Sequence, residues 1–494
     1  MKITRKIYNY IFILFLAFTL TSSPIGCANN KINEKGININ LPEENSISVV
    51  DEEITIDTEE IHPLNKLSGI LIAFIGYDLI GLFDFEKNKL FKIPTSKEAY
   101  YCNEYEDYDF KKLISTKNNI IVFSSKIRNQ YDIFSLNLEN NVIQNLSNDS
   151  TSDDINPSLS RNSELILFEK INYGKKTFCV LNAQNKETIS IFTSLDSSKN
   201  YETCFLPDNK HILFFSGGKS CEAFIMEIES KTQNNLSINN EKILEVKVSP
   251  NGKKIALTYV FLLKNNTEEE YLSIYDIENN SIKRITKIKT LSEIAGLAWS
   301  PDSNQIGWDS IQTGHLPDIF IYNLSTNKIE NITNSPDYKD LGVKWSNKNN
   351  YFAWHQYNDD MWSEKIVCIY DTIKGRTYKV SNSSLKILNS WYPLWSPDGE
   401  YLLFSYFTQE DYSNNIGSIK YDGSNLKQLA SLKSSNSEVG DYSWSYDSKY
   451  IAYIEQSIKV DSFPELKIIN FENGKLEYEY ITNGYFFTEI IWLK

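Results

Sequence analysis

Histidine is scarce in this chain, and this limits the chemistry that its side chains can perform. The 494 residues include four histidines: His62, His211, His315 and His355. A hydrolytic triad and a multi-histidine metal site both need imidazoles that converge. The sequence also has no GxSxG elbow, no HExxH motif and no DxDxDG calcium loop. We therefore predict no catalytic residues, no metal and no cofactor, and we expect that the chain is not an enzyme.

The histidines differ in their sequence context. His211 opens an apolar run, and His355 follows Trp354 within another. We interpret both as structural histidines with satisfied hydrogen bonds. His62 lies in a polar segment. His315 lies in the loop-like stretch QTGHLPD and is kept as a candidate binding residue.

Acidic and aromatic residues occur together in two loop-like stretches, QYNDDMWSE and FTQEDYSNN. Such a combination could bind a cationic peptide, a glycan or a metal-bridged ligand. The alternative is that these loops are solvated and that the indole packs back onto its own sheet. The candidate ligand-binding residues are Tyr357, Asp359, Asp360, Met361, Trp362, Glu410, Asp411, Tyr412 and His315.

The loops belong to a repeated unit. The stretch LWSPDGEYLLFS joins two apolar runs through a turn, and related stretches follow the tryptophans along the chain. The spacing is roughly 45 to 50 residues, which is typical of a propeller array. The repeat tryptophans are Trp299, Trp345, Trp395, Trp444 and Trp492. We interpret the turn as structural, with Trp395 packed between neighbouring units.

Each unit contains four short runs that are rich in Ile, Val, Tyr and Phe and bounded by Asn, Asp, Gly and Ser. The sequence therefore predicts an all-β fold, a single β-propeller of four-stranded antiparallel blades. Nine repeats can be counted, so we expect eight or nine blades. Two smaller propellers are the alternative. The predicted second strands begin near Ile70, Ile120, Leu165, His211, Lys254, Gln305, Tyr351, Tyr401 and Tyr450.

The two ends of the chain are predicted to share a blade. The first unit has no clear inner strand, and the last segment, FTEIIWLK, resembles an inner strand with Trp492 in the tryptophan position. We expect this strand to complete the first blade and close the ring. If the blade strands are named A to D from the inside outward, the B–C and D–A connections lie at one end of every blade. Long loops are predicted there, beginning at Leu262, Ile311, Gln356 and Phe407.

The WSPDG turn followed by an apolar strand resembles the propeller repeat of the TolB family, most clearly over residues 290–460. It is also similar to the propeller domains of prolyl oligopeptidases and dipeptidyl peptidases. The resemblance implies a propeller that binds other proteins in the cell envelope. The α/β domain that precedes the TolB propeller has no counterpart, since only a polar segment lies before residue 66.

The N-terminus is predicted to direct export of the chain and to anchor it to a membrane. Residues 1–26 carry Lys2, Arg5 and Lys6 before an apolar run from Ile11 to Leu20, as in a secretory signal. The ending PIGC resembles a bacterial lipoprotein signal, which implies that Cys27 is lipidated. The alternative is ordinary cleavage that releases a soluble secreted protein. Residues 27–65 are polar and acidic and predict a tether, followed by the propeller over residues 66–494.

The net charge limits the classes of partner, and the sequence context of the cysteines indicates their roles. The net charge is -14, so nucleic acid is an unsuitable partner. Beyond Cys27, Cys179 and Cys368 lie in apolar runs and are predicted core residues. One disulfide among Cys179, Cys204 and Cys221 is possible.

Three functions remain open. The first is a lipid-anchored, extracytoplasmic scaffold, monomeric, that binds a protein or an envelope polymer without catalysis. The second is an envelope enzyme that acts on glycans or peptides through a pocket lined by carboxylates, for which two close carboxylates with shifted pKa values would be the sign. The third is an accessory subunit of a separate hydrolase or transporter.

Overall fold

The computed structural model describes most of the region predicted to be the propeller, together with one short strand before it. The described residues are 57–60, 70–75, 79–94, 114–117, 120–127, 130–140, 142–195, 201–216, 222–236, 242–263, 267–289, 296–311, 316–348, 350–358, 365–380, 387–408, 414–432, 437–457, 463–481 and 487–493. The signal, Cys27, His62, Cys102 and Cys221 lie outside them. Among the described residues every regular element is a strand, and no helix has the length and apolar character needed to cross a membrane.

The strands of the described residues form nine antiparallel sheets, each of which is one blade. Blade 1 contains β1 (Asp57–Glu60), β2 (Ile70–Ile75), β3 (Leu79–Asp84), β4 (Lys89–Pro94) and β37 (Phe487–Leu493). Blade 2 contains β5 (Ile114–Lys117), β6 (Ile120–Ile127), β7 (Gln130–Asn137) and β8 (Val142–Asn145). Blade 3 contains β9 (Asp153–Leu159), β10 (Leu165–Asn172), β11 (Lys175–Asn182) and β12 (Thr188–Thr193).

The middle of the chain continues this pattern. Blade 4 contains β13 (Glu202–Phe205), β14 (His211–Ser216), β15 (Glu222–Glu227) and β16 (Gln233–Asn235). Blade 5 contains β17 (Lys242–Val248), β18 (Lys254–Leu262), β19 (Glu268–Asp276) and β20 (Ser281–Ile288). Blade 6 contains β21 (Ala298–Trp299), β22 (Gln305–Ile311), β23 (Pro317–Asn323) and β24 (Lys328–Asn331).

The last three blades carry the clearest copies of the repeat. Blade 7 contains β25 (Lys339–Trp345), β26 (Tyr351–Tyr357), β27 (Ile366–Asp371) and β28 (Arg376–Lys379). Blade 8 contains β29 (Ile387–Trp395), β30 (Tyr401–Thr408), β31 (Asn414–Lys420) and β32 (Lys427–Ser431). Blade 9 contains β33 (Ser437–Trp444), β34 (Tyr450–Ser457), β35 (Glu465–Asn470) and β36 (Leu476–Ile481). All nine predicted second strands begin at the residues expected from the sequence.

The C-terminal strand joins the first blade, as predicted. β37 pairs antiparallel with β2, and Trp492 lies opposite Leu71. Trp492 also packs with Phe85 of blade 1 and Tyr450 of blade 9. The pairing satisfies the inner edge of a blade whose other strands come from the start of the propeller.

The predicted tether is too long by at least one strand. β1 lies within residues 27–65, yet it pairs with β4 as a fifth strand of blade 1. Its register sets Asp57 opposite Lys92 and Glu60 opposite Lys89. Opposite charges at facing positions favour strand pairing, so an acidic stretch that indicates a tether by composition is here part of the sheet.

The hydrophobic core lies between the blades, because each sheet presents one face to each neighbour. One cluster joins Val367 and Ile369 of blade 7 to Trp395, Leu402 and Phe404 of blade 8. Cys179 and Cys368 are buried in such clusters, which confirms their prediction as core residues. Both are free thiols, as is Cys204.

The repeat tryptophans connect neighbouring blades. Four of the five indole nitrogens donate to a carbonyl oxygen on the inner strand of the preceding blade: Trp299 to Lys247 at 2.9 Å, Trp345 to Ala298 at 3.1 Å, Trp395 to Lys344 at 2.9 Å and Trp444 to Leu394 at 3.2 Å. In the adjoining turn the Ser396 hydroxyl accepts from the Tyr401 amide at 3.0 Å, and Gly399 has a φ of 71°. The structural interpretation of the WSPDG turn is confirmed.

The predicted long loops are shorter than expected in three blades. β18 ends at Leu262 and β19 begins at Glu268, and blades 6 and 8 show the same spacing. These connections are as long as the turn between Trp395 and Tyr401. The reason is that the flanking strands include residues that the sequence predicted to belong to the loops. Only the connection from Tyr357 to Ile366 in blade 7, among the four named, is clearly longer.

Candidate functional site

Most of the acidic and aromatic residues predicted to bind a ligand lie outside the described residues. They are Asp359, Asp360, Met361, Trp362, Glu410, Asp411, Tyr412 and His315. Their role stays a prediction. Tyr357 is described: it is the last residue of β26 and is half-buried.

The surroundings of Tyr357 are basic. The ammonium groups of Lys339 and Lys365 lie 5.9 Å and 5.6 Å from the centre of its ring. Cations at this distance from an aromatic face are attracted by its quadrupole. The ring face of Tyr357 therefore already has cationic neighbours, whereas the sequence pattern indicated a ring available to a cationic ligand.

A different set of titratable side chains lies on consecutive blades: two carboxylates that influence each other, and a histidine beside the glycine that donates to one of them. Glu245 lies on β17 of blade 5, Asp309 on β22 of blade 6 and His355 on β26 of blade 7. Asp309 and Glu245 are buried, and His355 is half-buried. Sequence patterns did not indicate this set, because the residues are separated by one repeat each and no motif joins them.

Glycines shape the space around the Asp309 carboxylate. Its Oδ2 atom accepts a hydrogen bond of 3.1 Å from the Gly342 amide on blade 7. Gly342 has a φ of 76° and lies in a register shift between Leu341 and Lys344. A Cβ atom at Gly296 would lie 2.6 Å from the same Oδ2 atom. Only glycine allows this close approach of two backbones to one carboxylate.

Burial and nearby charge alter the protonation of two members of this set. Burial raises the pKa of Asp309 to about 7, and the charge of Glu245 adds to the rise while the hydrogen bond from Gly342 opposes it. Burial lowers the pKa of His355 to about 4, helped by the charges of Lys344 and Lys365. Near neutral pH, Asp309 can therefore exchange a proton while the imidazole of His355 is neutral.

His355 differs from its predicted role as a satisfied structural histidine. Its Nε2 atom is buried and has no hydrogen-bond partner among the described residues. Its strand leaves the imidazole beside the glycine bulge of β25, where backbone groups are displaced from the ladder. His211 fits its prediction, since its Nδ1 atom lies 2.7 Å from Oδ2 of Asp208 in the same turn.

The chemistry available to this set is limited. A carboxyl group with a pKa near neutrality can act as a general acid or base, and such shifts are frequent at functional sites. However, no group of three or more His, Cys, Asp or Glu residues within the described chain could hold a metal ion.

A second set of acidic residues, which was also not predicted from the sequence, has a structural role. Asp318 is the second residue of β23 and accepts hydrogen bonds from Asn331 at 2.8 Å, from Thr333 at 3.0 Å and from the Ser335 amide at 2.9 Å. Asp132 accepts the equivalent bonds in blade 2, with Asn145 at 2.8 Å. The signal is the repeated spacing in DIFSLNLENNVIQNLSN and DIFIYNLSTNKIENITN. These carboxylates hold the connection to the next blade.

Comparison with known proteins supports the fold. No protein-family model and no curated protein sequence matches the chain. The crystal structure of a eukaryotic initiation factor is similar over 86% of this chain and 98% of that one, with 14% identity and a TM-score of 0.56. The dipeptidyl peptidase 4 of Porphyromonas gingivalis is similar over 78% of this chain and 63% of that one, with 12% identity and a TM-score of 0.51.

TolB from Acinetobacter baumannii is also among the similar structures. It shares 12% identity over 68% of this chain and 81% of its own, with a TM-score of 0.31. TolB and peptidase propellers are the two groups that the WSPDG turn resembles. At these identities the likenesses to the initiation factor and to dipeptidyl peptidase 4 show the fold alone, because one fold serves many functions.

Proposed function

We propose that this chain is a lipid-anchored, extracytoplasmic β-propeller that binds a protein or an envelope polymer without catalysing a reaction. The observation that carries the proposal is the signal-like segment ending at Cys27, followed by a polar stretch and then a propeller. A rigid propeller presents loops at fixed positions, and binding residues are commonly found on such loops.

The anchor is tested by comparing the full chain with its Cys27→Ser variant in a bacterial host. We expect the original chain to partition into the detergent phase of Triton X-114 and to carry a diacylglycerol on Cys27 by mass spectrometry. The variant should remain in the aqueous phase or retain its signal. Equal partitioning of both proteins, with an unmodified Cys27, would contradict the anchor and favour the secreted soluble form.

The binding role is tested by crosslinking the full chain in its native envelope. The test variant combines Asp359→Ala, Asp360→Ala and Trp362→Ala, and the matched control is Tyr446→Ala, an exposed aromatic residue in an A–B turn. We expect a partner that is lost with the triple variant and kept with the control. A partner kept by both would remove the predicted patch from the proposal, and the absence of any partner would contradict the scaffold.

A second candidate is an envelope enzyme that acts on glycans or peptides. It is favoured by the buried Asp309, whose pKa of about 7 is raised in part by Glu245. The test is turnover of envelope glycans and peptides by the full chain and by Asp309→Asn. Turnover that disappears in this variant would favour the enzyme, and no turnover by the original chain would exclude it for those substrates.

A further inference from the structure

A cavity of about 250 Å³ lies between blades 2 and 3. Its apolar lining includes Ile120, Leu159 and Ala183, and its polar lining includes Asn137, Asn140 and Gln144. The cavity lies beside the A–B and C–D turns, at the end of the blades opposite the candidate patch predicted from the sequence.

The backbone shows which residues of other blades correspond to Ala183. The Ala183 amide donates to the Glu164 carbonyl at 2.9 Å. At the same place in blades 8 and 9, Tyr421 donates to Glu400 at 3.0 Å and Phe471 donates to Lys449 at 2.8 Å. Blades 4 to 7 carry Ile228, Ile277, Leu324 and Thr372 there. Ala183 therefore occupies the position at which blades 8 and 9 carry a large aromatic side chain.

Three interfaces between blades are filled by aromatic rings at the positions that surround this cavity. Between blades 7 and 8, the rings of Tyr351 and Tyr421 lie 4.5 Å apart beside Trp395. Between blades 8 and 9, Phe471 lies 4.8 Å from both Tyr401 and Trp444. Between blades 9 and 1, Trp492 lies 6.2 Å from Tyr450 and 5.8 Å from Phe85.

The cavity arises because the same three positions between blades 2 and 3 carry smaller side chains. Ile120 corresponds to the tyrosines that begin β26, β30 and β34, Leu159 corresponds to the repeat tryptophans, and Ala183 corresponds to Tyr421 and Phe471. The cavity thus has the place of the rings that the chain itself supplies at the interfaces of blades 7 and 8, 8 and 9, and 9 and 1. An engineered apolar cavity of about 150 Å³ is large enough to bind benzene, so this space can hold one ring.

We propose that the cavity between blades 2 and 3 binds the side chain of a tyrosine from a protein partner. The apolar surfaces of Ile120, Leu159 and Ala183 match a ring, and the exposed amides of Asn140 and Gln144 can bond to a hydroxyl group. None of the described lining residues is charged, which suits a neutral ligand. This proposal rests on the scaffold function above, and it names the group that the scaffold recognises.

The test measures binding of p-cresol and N-acetyl-L-tyrosinamide to the full chain by saturation-transfer NMR. We expect both probes to bind the original chain and to bind Ala183→Tyr at least tenfold more weakly, because the new ring fills the cavity. The matched control is Thr372→Tyr, which adds a tyrosine at the same position of blade 7 and should leave binding unchanged. Leu159→Trp is a second filling variant, should Ala183→Tyr not fold.

Three results would overturn the proposal. They are no binding of either probe to the original chain, equal binding to both filling variants, and stronger binding of N-acetylglucosamine or N-acetyl-L-leucinamide than of the tyrosine probes. Envelope crosslinking with Ala183→Tyr separates this proposal from the scaffold function. If that variant retains its partner, the tyrosine site is contradicted and the scaffold function is not. If the probes bind but no partner is found, the scaffold function is contradicted and the tyrosine site is not.

Discussion

The indole nitrogen of Trp395 donates a hydrogen bond of 2.9 Å to the carbonyl oxygen of Lys344 on the preceding blade. The same bond links Trp299, Trp345 and Trp444 to their preceding blades. The tryptophans of the repeat therefore connect neighbouring sheets near the inner strands, in addition to filling the space between them.

Replacing Trp395 by Phe should lower the free energy of unfolding by about 1 kcal/mol more than the loss of ring area explains. The reason is the loss of the indole donor, which leaves the Lys344 carbonyl without this bond. Trp308→Phe is the matched control, since the buried indole nitrogen of Trp308 has no partner among the described residues. Urea unfolding of both variants measures the difference, and equal losses would contradict the role of the bond.

Replacing Tyr421 by Ala should open a space between blades 7 and 8 like that between blades 2 and 3. We expect a loss of about 2 kcal/mol in stability, because the ring is half-buried and its centre lies 4.5 Å from that of the tilted Tyr351 ring. Tyr446→Ala, in an exposed turn, should change stability by about 0.5 kcal/mol or less. Thermal unfolding compares the two, and equal effects would show that the ring does not stabilise the interface.

The titration of Asp309 should lower the free energy of unfolding as pH rises from about 4 to about 7. Its pKa is raised from 3.8 to about 7 in the folded state, so the folded protein holds a proton that the unfolded chain has released. The contribution to the slope reaches about 1.4 kcal/mol per pH unit in this window. Asp309→Asn keeps an acceptor for Gly342 and should lack this contribution, and identical pH profiles would contradict it.

His355 should act in the opposite direction over nearly the same pH range. Its pKa is lowered from 6.5 to about 4, so the unfolded chain takes up a proton before the folded protein does. Stability from the neutral imidazole is therefore lost as pH falls from about 6.5 to about 4. His355→Phe should remove this loss. The difference between the two unfolding profiles from pH 4 to 7 tests the prediction, and a constant difference would refute it.

The strands and the number of units could be predicted from the sequence alone. Alternating apolar residues and the recurring tryptophans are local signals, and they placed the second strands from Ile70 to Tyr450 and the pairing of the C-terminal strand with blade 1. The same local reading failed at Asp57–Glu60, because an acidic composition does not reveal a partner strand that begins at Lys89.

Only the tertiary structure reveals the contacts between blades. The carboxylate of Asp309 and the amide of Gly342 belong to different repeats, and their approach depends on the bulge at Gly342 and on the absence of a side chain at Gly296. The cavity at Ala183 likewise depends on three positions from two blades that are small together. Periodicity along one strand reports which face is buried, whereas the residue across an interface is set by the packing of whole sheets.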